Sequence, residues 1–366
     1  MTNPARTAMR LRLELRERPS RAIALCSPLA AVALTLACGA ALFTAIGYDP
    51  RAVLDAYFLK PLGSVYGLAE LALKATPLAL CATGLAVGFR GNVWNIGAEG
   101  QLTMGAIAGG GLALAFPDSE SGWLLPAMLV AGILGGMAWA AIPAFLRTRF
   151  QANEILTSLM LTYVAQLFLG YLVHGPWRDP AGFNFPQSRQ FGDAALLPVL
   201  VGGTRLTPAI FFALAAVALV WLLLARSFAG FRIRVVGLAA AAADYAGFSH
   251  GRVIWLSLLL SGGLAGLAGI CEVAGPIGQL LPVISPGYGF AAIIVAFLGR
   301  LHPVGILLAS LLMALVYLGG ESAQVDLGLP LAVTGMFQGL LLFFLLAGDL
   351  FLRYRLRVAV PASAAA

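Results

Sequence analysis

Residues 91–106 read GNVWNIGAEGQLTMGA. Apolar runs flank it on both sides, yet it carries Asn92, Asn95, Glu99 and Gln101, with glycines at 91, 97 and 100 to loosen the backbone. An ionised carboxylate in hydrocarbon costs about 2.5–3.5 kcal/mol on insertion scales, so such a group faces protein or water. Backbone that leaves the helix at membrane depth also survives only where it packs on protein or lines a cavity. Two readings stand. The stretch is a kink that lines a pathway, or it is a cytoplasmic turn in which Glu99 is an ordinary first-turn acid near a helix N-terminus.

The surrounding chain sets the environment. Its 366 residues are 60% hydrophobic and 11% charged, with a mean hydropathy of +0.90. Too few polar groups exist to cover a water-facing surface, and the apolar runs reach the roughly 20 residues that cross a bilayer. The fold class is therefore an all-α polytopic membrane protein. The run from Ile23 to Gly47 is too long for a signal-peptide core of about 7–15 residues and reads as a retained helix. Cysteines 26, 38, 81 and 271 sit in apolar runs without metal or redox spacing and read as small buried hydrophobes. His174, His250 and His302 are scattered, and no metal site is expected.

Segmentation by apolar runs gives about ten spans, near 23–47, 65–89, 93–116, 124–146, 154–174, 208–225, 253–275, 288–299, 304–320 and 330–348. With the N-terminus inside, 17 of the 23 basic residues fall on the cytoplasmic side and five outside, Arg51, Lys60, Arg178, Arg189 and Arg205. That asymmetry obeys the positive-inside rule and places both termini in the cytoplasm. The net charge of +7 thus tracks the membrane, and no nucleic-acid partner is implied. Residues 1–22 form a basic cytoplasmic N-terminus, 23–348 the transmembrane domain, and 349–366 a cytoplasmic tail.

The third span opens with the broken stretch, and the eighth, Tyr288 to Gly299, is too short to cross unaided. Short or glycine-interrupted spans at matching places in two halves point to a repeat interface. Spans 2–5 and 7–10 match as two inverted repeats, which sets NIGAEGQLTMGAIA opposite SPGYGFAAIIVAFL.

Other polar stations have local readings. Glu70 and Lys74 stand four apart in the favourable helical order, as a structural ion pair or, alternatively, as pathway groups. Asn153 and Glu154 fit an N-cap followed by a first-turn acid. The periplasmic segment 175–207 is long for a connector and reads either as a docking surface or as a solvated link.

The longest inner connection, Arg226 to Arg252, holds an alanine-rich helix over 238–245, with Gly247 as its stop. Flanked by Phe231 and Phe248, with Arg232, Arg234 and Asp244 exposed, it is a docking knob or a surface linker helix. No catalytic set is visible. Lysine occurs only at 60 and 74, which rules out a phosphate-cradling P-loop, so nucleotide-driven work would need another chain.

The segments GLAVGFRGNVWNIGAEGQLTMGA, ANEILTSLMLTYVA, GFRIRVVGLAAAAADYAGFS and GYGFAAIIVAFLGRLHPVGILLAS together resemble the permease subunit of bacterial ABC importers. The branch is that for branched-chain amino acids, ribose-like sugars and nucleosides, and the NIGAEGQ form is most similar to its nucleoside and simple-sugar subgroup. The resemblance runs from about Ala69 to the end of the tenth span. One departure is Leu238-Ala239-Ala240, where the subgroup usually has an Asn-Pro and an acidic residue.

The resemblance implies an inner-membrane importer permease that is not itself an enzyme and holds no cofactor, with ATP and magnesium on an ABC ATPase partner. It also implies a second permease subunit and an extracytoplasmic solute-binding lipoprotein. Arg232 to Phe248 would be the coupling helix, with Arg232, Arg234, Asp244, Tyr245, Gly247 and Phe248 at the ATPase. Asn95, Glu99, Gln101, Tyr288 and Phe290 would line or shape the translocation pathway. The competing reading is an ion-coupled secondary transporter of a small polar solute, in which Glu70 or Glu99 would hold the coupling ion and the alanine-rich arm has no role. A membrane-embedded enzyme is the third class, and no clustered chemistry supports it.

Overall fold

The computed structural model describes residues 10–15, 21–330, 354–359 and paired positions between 332 and 348. The first helices are α1 (Arg21–Ala45), the short α2 (Pro50–Leu54), α3 (Val65–Arg90) and α4 (Ala98–Ala115). They are followed by α5 (Leu124–Phe150), α6 (Glu154–His174), α7 (Ala209–Arg226), α8 (Phe228–Leu238) and α9 (Ala240–Tyr245). The described helices close with α10 (His250–Glu272), α11 (Tyr288–Leu298) and α12 (Pro303–Leu327). The expected span at 330–348 lies only in part within the described residues.

Among the described residues six helices are long and apolar enough to cross a membrane: α3, α5, α6, α7, α10 with its extension to Ile277, and α12. Leu29–Ala45 and Tyr288–Leu298 are apolar but shorter. Ala98–Ala115, which carries Glu99 and Gln101, is not among the six. Crossing length is thus established for six helices, fewer than the ten spans read from the sequence.

The chain divides into two compact units. One holds the residues up to Asp55 and from Ala323 onward, and beside its helices it carries one short ribbon. β1 (Arg10–Leu15) pairs antiparallel with β2 (Tyr354–Ala359), from Arg10 opposite Ala359 to Leu15 opposite Tyr354. Strand propensity in so short a ribbon is context-dependent, and only the pairing of the two ends supplies that context. The ribbon brings the N- and C-terminal segments together.

The second unit, Ala56–Ser322, contains the helical core. α10 packs on α3, α4 and α5, and α4 also lies against α5 and α6. Lipid gives no hydrophobic drive between helices, so close backbone approach has to supply the packing. Gly132 and Gly136 on α5 face Gly262 and Gly266 on α10, and a Cβ at Gly136 or Gly266 would collide with the facing backbone. Polar exceptions are absorbed locally: Ser64 caps α3 by accepting from Gly67 N at 2.9 Å. Cys81 and Cys271 are buried as expected, whereas Cys38 is exposed.

The long connection at 175–207 holds one 3-10 turn, Asp193–Ala195. It is tied to the chain after α10 by Ser188 N to Leu280 O (2.9 Å), Phe191 N to Gly278 O (2.9 Å) and Leu197 N to Ala274 O (2.7 Å). Phe183, 93% exposed, and Phe185 stand clear of that seam.

Candidate functional site

Helix α3 ends at Arg90, and Asn92 takes a left-handed backbone with φ 55°, which Asn tolerates better than most residues. Residues 93–97 have no regular secondary structure, and a helix restarts at Ala98. This break has to satisfy its own backbone donors. Val93 N donates to Gly88 O (2.9 Å), Trp94 N to Glu154 Oε1 (3.2 Å) and Ile96 N to the Ser158 hydroxyl (3.2 Å). Gly97 N donates to Asn95 Oδ1 (2.9 Å).

Asn95 is the hub. Its Nδ2 donates to Gln101 Oε1 (2.8 Å) and to Ser261 Oγ on α10 (2.9 Å), while its Oδ1 also accepts from Gln101 Nε2 (3.1 Å). All four hydrogen-bonding positions of this amide are used. Asn95 and Gln101 are 1% exposed and Glu99 is 2% exposed. These groups face protein.

The N-terminal end of α4 meets the N-terminal end of α11. Glu99 Oε2 accepts from Gly289 N at 2.6 Å, and the backbones come so close that a Cβ at Gly289 would strike Glu99. Ser285 Oγ accepts from Gly287 N (3.1 Å) and Tyr288 N (2.8 Å), which caps α11. An anion beside a helix N-terminus gains from the exposed N–H groups and the helix dipole. With 11 residues, α11 rises about 16 Å, roughly half a hydrocarbon core. Tyr288 is buried, its ring edge-on to Tyr317 at 5.5 Å, and Phe290 is half-buried. The starts of α4 and α11 are thus in direct contact; this contact is no test of the inverted repeats read from the sequence.

The expected Glu70–Lys74 pair is not formed. Glu70 instead takes a two-point contact from Arg205, Nε to Oε1 at 2.9 Å and Nη2 to Oε2 at 2.6 Å. Lys74 Nζ bonds Glu321 Oε1 on α12 at 2.8 Å. Two partners with better geometry replace one intrahelical neighbour, because burial of Glu70 demands both of its oxygens be bonded. The Glu70 hydrogen bonds hold the Arg205 guanidinium protonated still more firmly than usual. Glu272 is buried within electrostatic reach of Lys74 and Arg205.

Glu154 is more than the first-turn acid read from sequence. Asn153 does cap α6, accepting from Ile155 N (2.9 Å) and Leu156 N (3.4 Å), but Glu154 also forms an ion pair with Arg147 and holds Trp94 N. Glu154, Ser158 and Thr162 recur every four residues, all buried, on the face of α6 that packs on α4 and the break. That spacing in EILTSLMLT was the available signal. Arg147, Glu154, Asn92, Trp94, Gln151, Asn153 and His250 also line a cavity of about 560 Å³. None of Asn95, Glu99, Gln101, Tyr288 or Phe290 is in its lining.

The arm between α7 and α10 is two helices rather than one continuous coupling helix. The break falls at Ala239, with φ −152° and ψ 83°, between α8 and α9. Ile233, Val236 and Ala243 anchor it against Val87, Val220, Leu224 and Val253. Phe228, Phe231 and Phe248 form an aromatic cluster with centroids 5.9–6.2 Å apart, and Arg232 lies 5.2 Å over the Phe228 ring. Gly247 has φ +76°, the left-handed stop that glycine permits. Arg234 and Asp244 are exposed, Arg232 is partly so, Leu238 is 88% exposed and Tyr245 97%.

Six described helices of crossing length, a broken segment before α4 and an exposed arm between α7 and α10 fit a multi-pass membrane protein. The model of the family described as branched-chain amino acid transport system / permease component matches residues 67–346, and the chain belongs to that family. A glucose ABC transporter permease protein of Haloferax volcanii is 38% identical, over 95% of each chain. A guanosine ABC transporter permease protein of Bacillus subtilis is 30% identical, over 87% of this chain and 91% of its own. A nucleoside ABC transporter permease protein of Lactococcus lactis is 28% identical, over 87% and 89%. This chain is an ABC transporter permease subunit.

Proposed function

We propose that this permease carries nucleosides, or related nucleobases or simple sugars, from the outer side of a bacterial inner membrane to the cytoplasm by alternating access. The glucose, guanosine and nucleoside permeases to which the chain is similar support that substrate class. Work comes from an ABC ATPase on a separate chain, where ATP and magnesium bind. Two permease subunits, identical or related, form the conduit, and an extracytoplasmic solute-binding lipoprotein delivers solute.

The observation that carries this reading is the arm. The arm exposes Leu238, the last residue of α8, and Tyr245, the last of α9, almost completely while its base is packed into the core. Exposed apolar tips rimmed by Arg232, Arg234 and Asp244 suit a protein cleft. Movement of that knob would reach Arg90 and the break, because a Cβ at Gly237 would collide with Arg90 backbone. Asn95, Glu99 and Gln101, with Tyr288 and Phe290, then shape the pathway by holding two half-helices tip to tip. Pairing of β1 with β2 supports both termini lying on one side, the cytoplasmic side by charge.

Reconstitution with the partner ATPase and binding protein tests the assignment. Labelled uridine or glucose should accumulate with ATP and persist when a protonophore collapses the proton gradient. Uptake lost to the protonophore at constant ATP would instead favour an ion-coupled carrier.

A further inference from the structure

The cavity beside the break is not used by the pathway or by the arm's exposed tip. Its walls come from four places: Asn92 and Trp94 in the break, Arg147 and Thr148 at the end of α5, Gln151 to Ile155 across the turn into α6, and His250, Gly251 and Ile254 on α10. At about 560 Å³ it lies within the roughly 300–1,000 Å³ range of small-molecule sites.

Its chemistry is specific in two ways. Charge is balanced, because Arg147, its one arginine, is already paired with the buried Glu154. A phosphate would find no free cation among the arginines and lysines of the wall and would face that carboxylate. Hydrogen-bonding capacity, in contrast, is abundant. Among the described residues no protein group engages the side-chain amide of Gln151 or the Nδ2 of Asn92, both exposed to solvent, or the half-buried imidazole of His250. Amides both donate and accept, which matches hydroxyls and ring heteroatoms. Trp94, stacked with Phe297 at 5.8 Å, contributes a flat aromatic wall.

We propose that this cavity is a second, inner-face solute site that takes an uncharged ring compound rich in hydroxyl or amide groups, of nucleoside size. The inference deepens the importer reading above and rests on its inward direction. Occupancy bears on coupling through connectivity. The arm runs from Tyr245 through Gly247 directly into His250, and the opposite wall is the break itself. A solute bridging Asn92, Gln151 and His250 holds these elements in their present arrangement, since a ligand stabilises whichever state it binds better. Accumulated solute would thereby slow its own import.

Labelling tests the site. Ala152 lines the cavity without supplying a polar side chain, so an Ala152→Cys variant, made in a Cys38→Ser background, reports access by maleimide modification mapped to position 152. Millimolar uridine or glucose should slow modification about threefold or more, and uridine monophosphate should not. In the reconstituted transporter, the same neutral solutes loaded inside should slow ATP-driven uptake about twofold. Gln151→Gly should relieve that inhibition, glycine being at ease at the φ of 55° found there. Labelling unchanged by any probe, equal protection by the phosphorylated compound, or inhibition persisting in Gln151→Gly would each overturn the proposal. Failure of the importer reading would register differently, as no ATP-driven uptake in the parent protein.

Discussion

The break at 91–101 and the arm at 228–248 carry similar sequence signals, glycine beside scattered polar residues within an apolar chain, and the structure treats them oppositely. In the break Asn95, Glu99 and Gln101 turn inward and find protein partners, and Asn95 alone makes four hydrogen bonds. In the arm the polar and apolar tips turn outward, and Tyr245 has almost no neighbours to bury it. A non-helical segment at membrane depth is stable only when satisfied within the protein, whereas a solvent-facing helix can keep surface for a partner. Substitutions should therefore damage folding in the first region and coupling in the second.

The sharpest break of that contrast is Asn95→Ala. It strips partners from Gln101, Ser261 and the Gly97 N–H at once, at about 1–3 kcal/mol for each buried group left unsatisfied. Purified yield and thermal stability should both fall steeply; a normal melting profile with normal uptake would place these bonds outside the fold's essentials.

Glu99 separates charge from geometry. Glu99→Gln retains an oxygen that can accept from Gly289 N, while Glu99→Ala leaves that donor buried and unpaired. Thermal stability should drop by about 1–3 kcal/mol in the alanine variant and by less in the glutamine one. Equal losses in both would show that the negative charge at the tip of α11 matters more than the hydrogen bond.

Removal of Arg205 comes next. Its side chain is 54% exposed, so screening discounts the pair, yet Glu70 beneath it is buried. Arg205→Ala should cost of order 1 kcal/mol in a melting experiment, with Glu70→Gln/Arg205→Ala recovering part of it. No recovery in the double variant would mean that the two side chains act independently.

The arm gives the smallest stability effect. Tyr245→Ala should stay within about 0.5 kcal/mol of the parent, as surface substitutions do. Its transport deficit, if the contrast holds, should far exceed that of Arg205→Ala.

Much of this was legible in the chain. Apolar runs predicted 65–89, 124–146, 154–174 and 208–225, and the helices are Val65–Arg90, Leu124–Phe150, Glu154–His174 and Ala209–Arg226. Hydropathy works here because a spanning backbone has no alternative to helix. The break was legible from glycine and amide density, and its meeting with α11 from the shortness of Tyr288–Gly299. Partners were not. Glu70 finds Arg205 at a separation of 135 residues and Lys74 finds Glu321 at 247, distances over which local spacing says nothing. The terminal ribbon escaped for the same reason, since neither six-residue strand announces itself without its partner. Ala239 interrupts the arm despite its alanine-rich surroundings, where intrinsic propensity favours helix and tertiary anchoring at Val236 and Ala243 prevails.

The central claim is that this subunit is moved by another chain through its arm. The direct measurement is the number of solute molecules imported per ATP hydrolysed, in proteoliposomes holding the full transporter, for the parent and for Gly247→Pro and Asp244→Arg. The account predicts that ATP hydrolysis continues while the transport ratio falls about tenfold, the permease remaining inserted and folded. An unchanged ratio in both variants would contradict it.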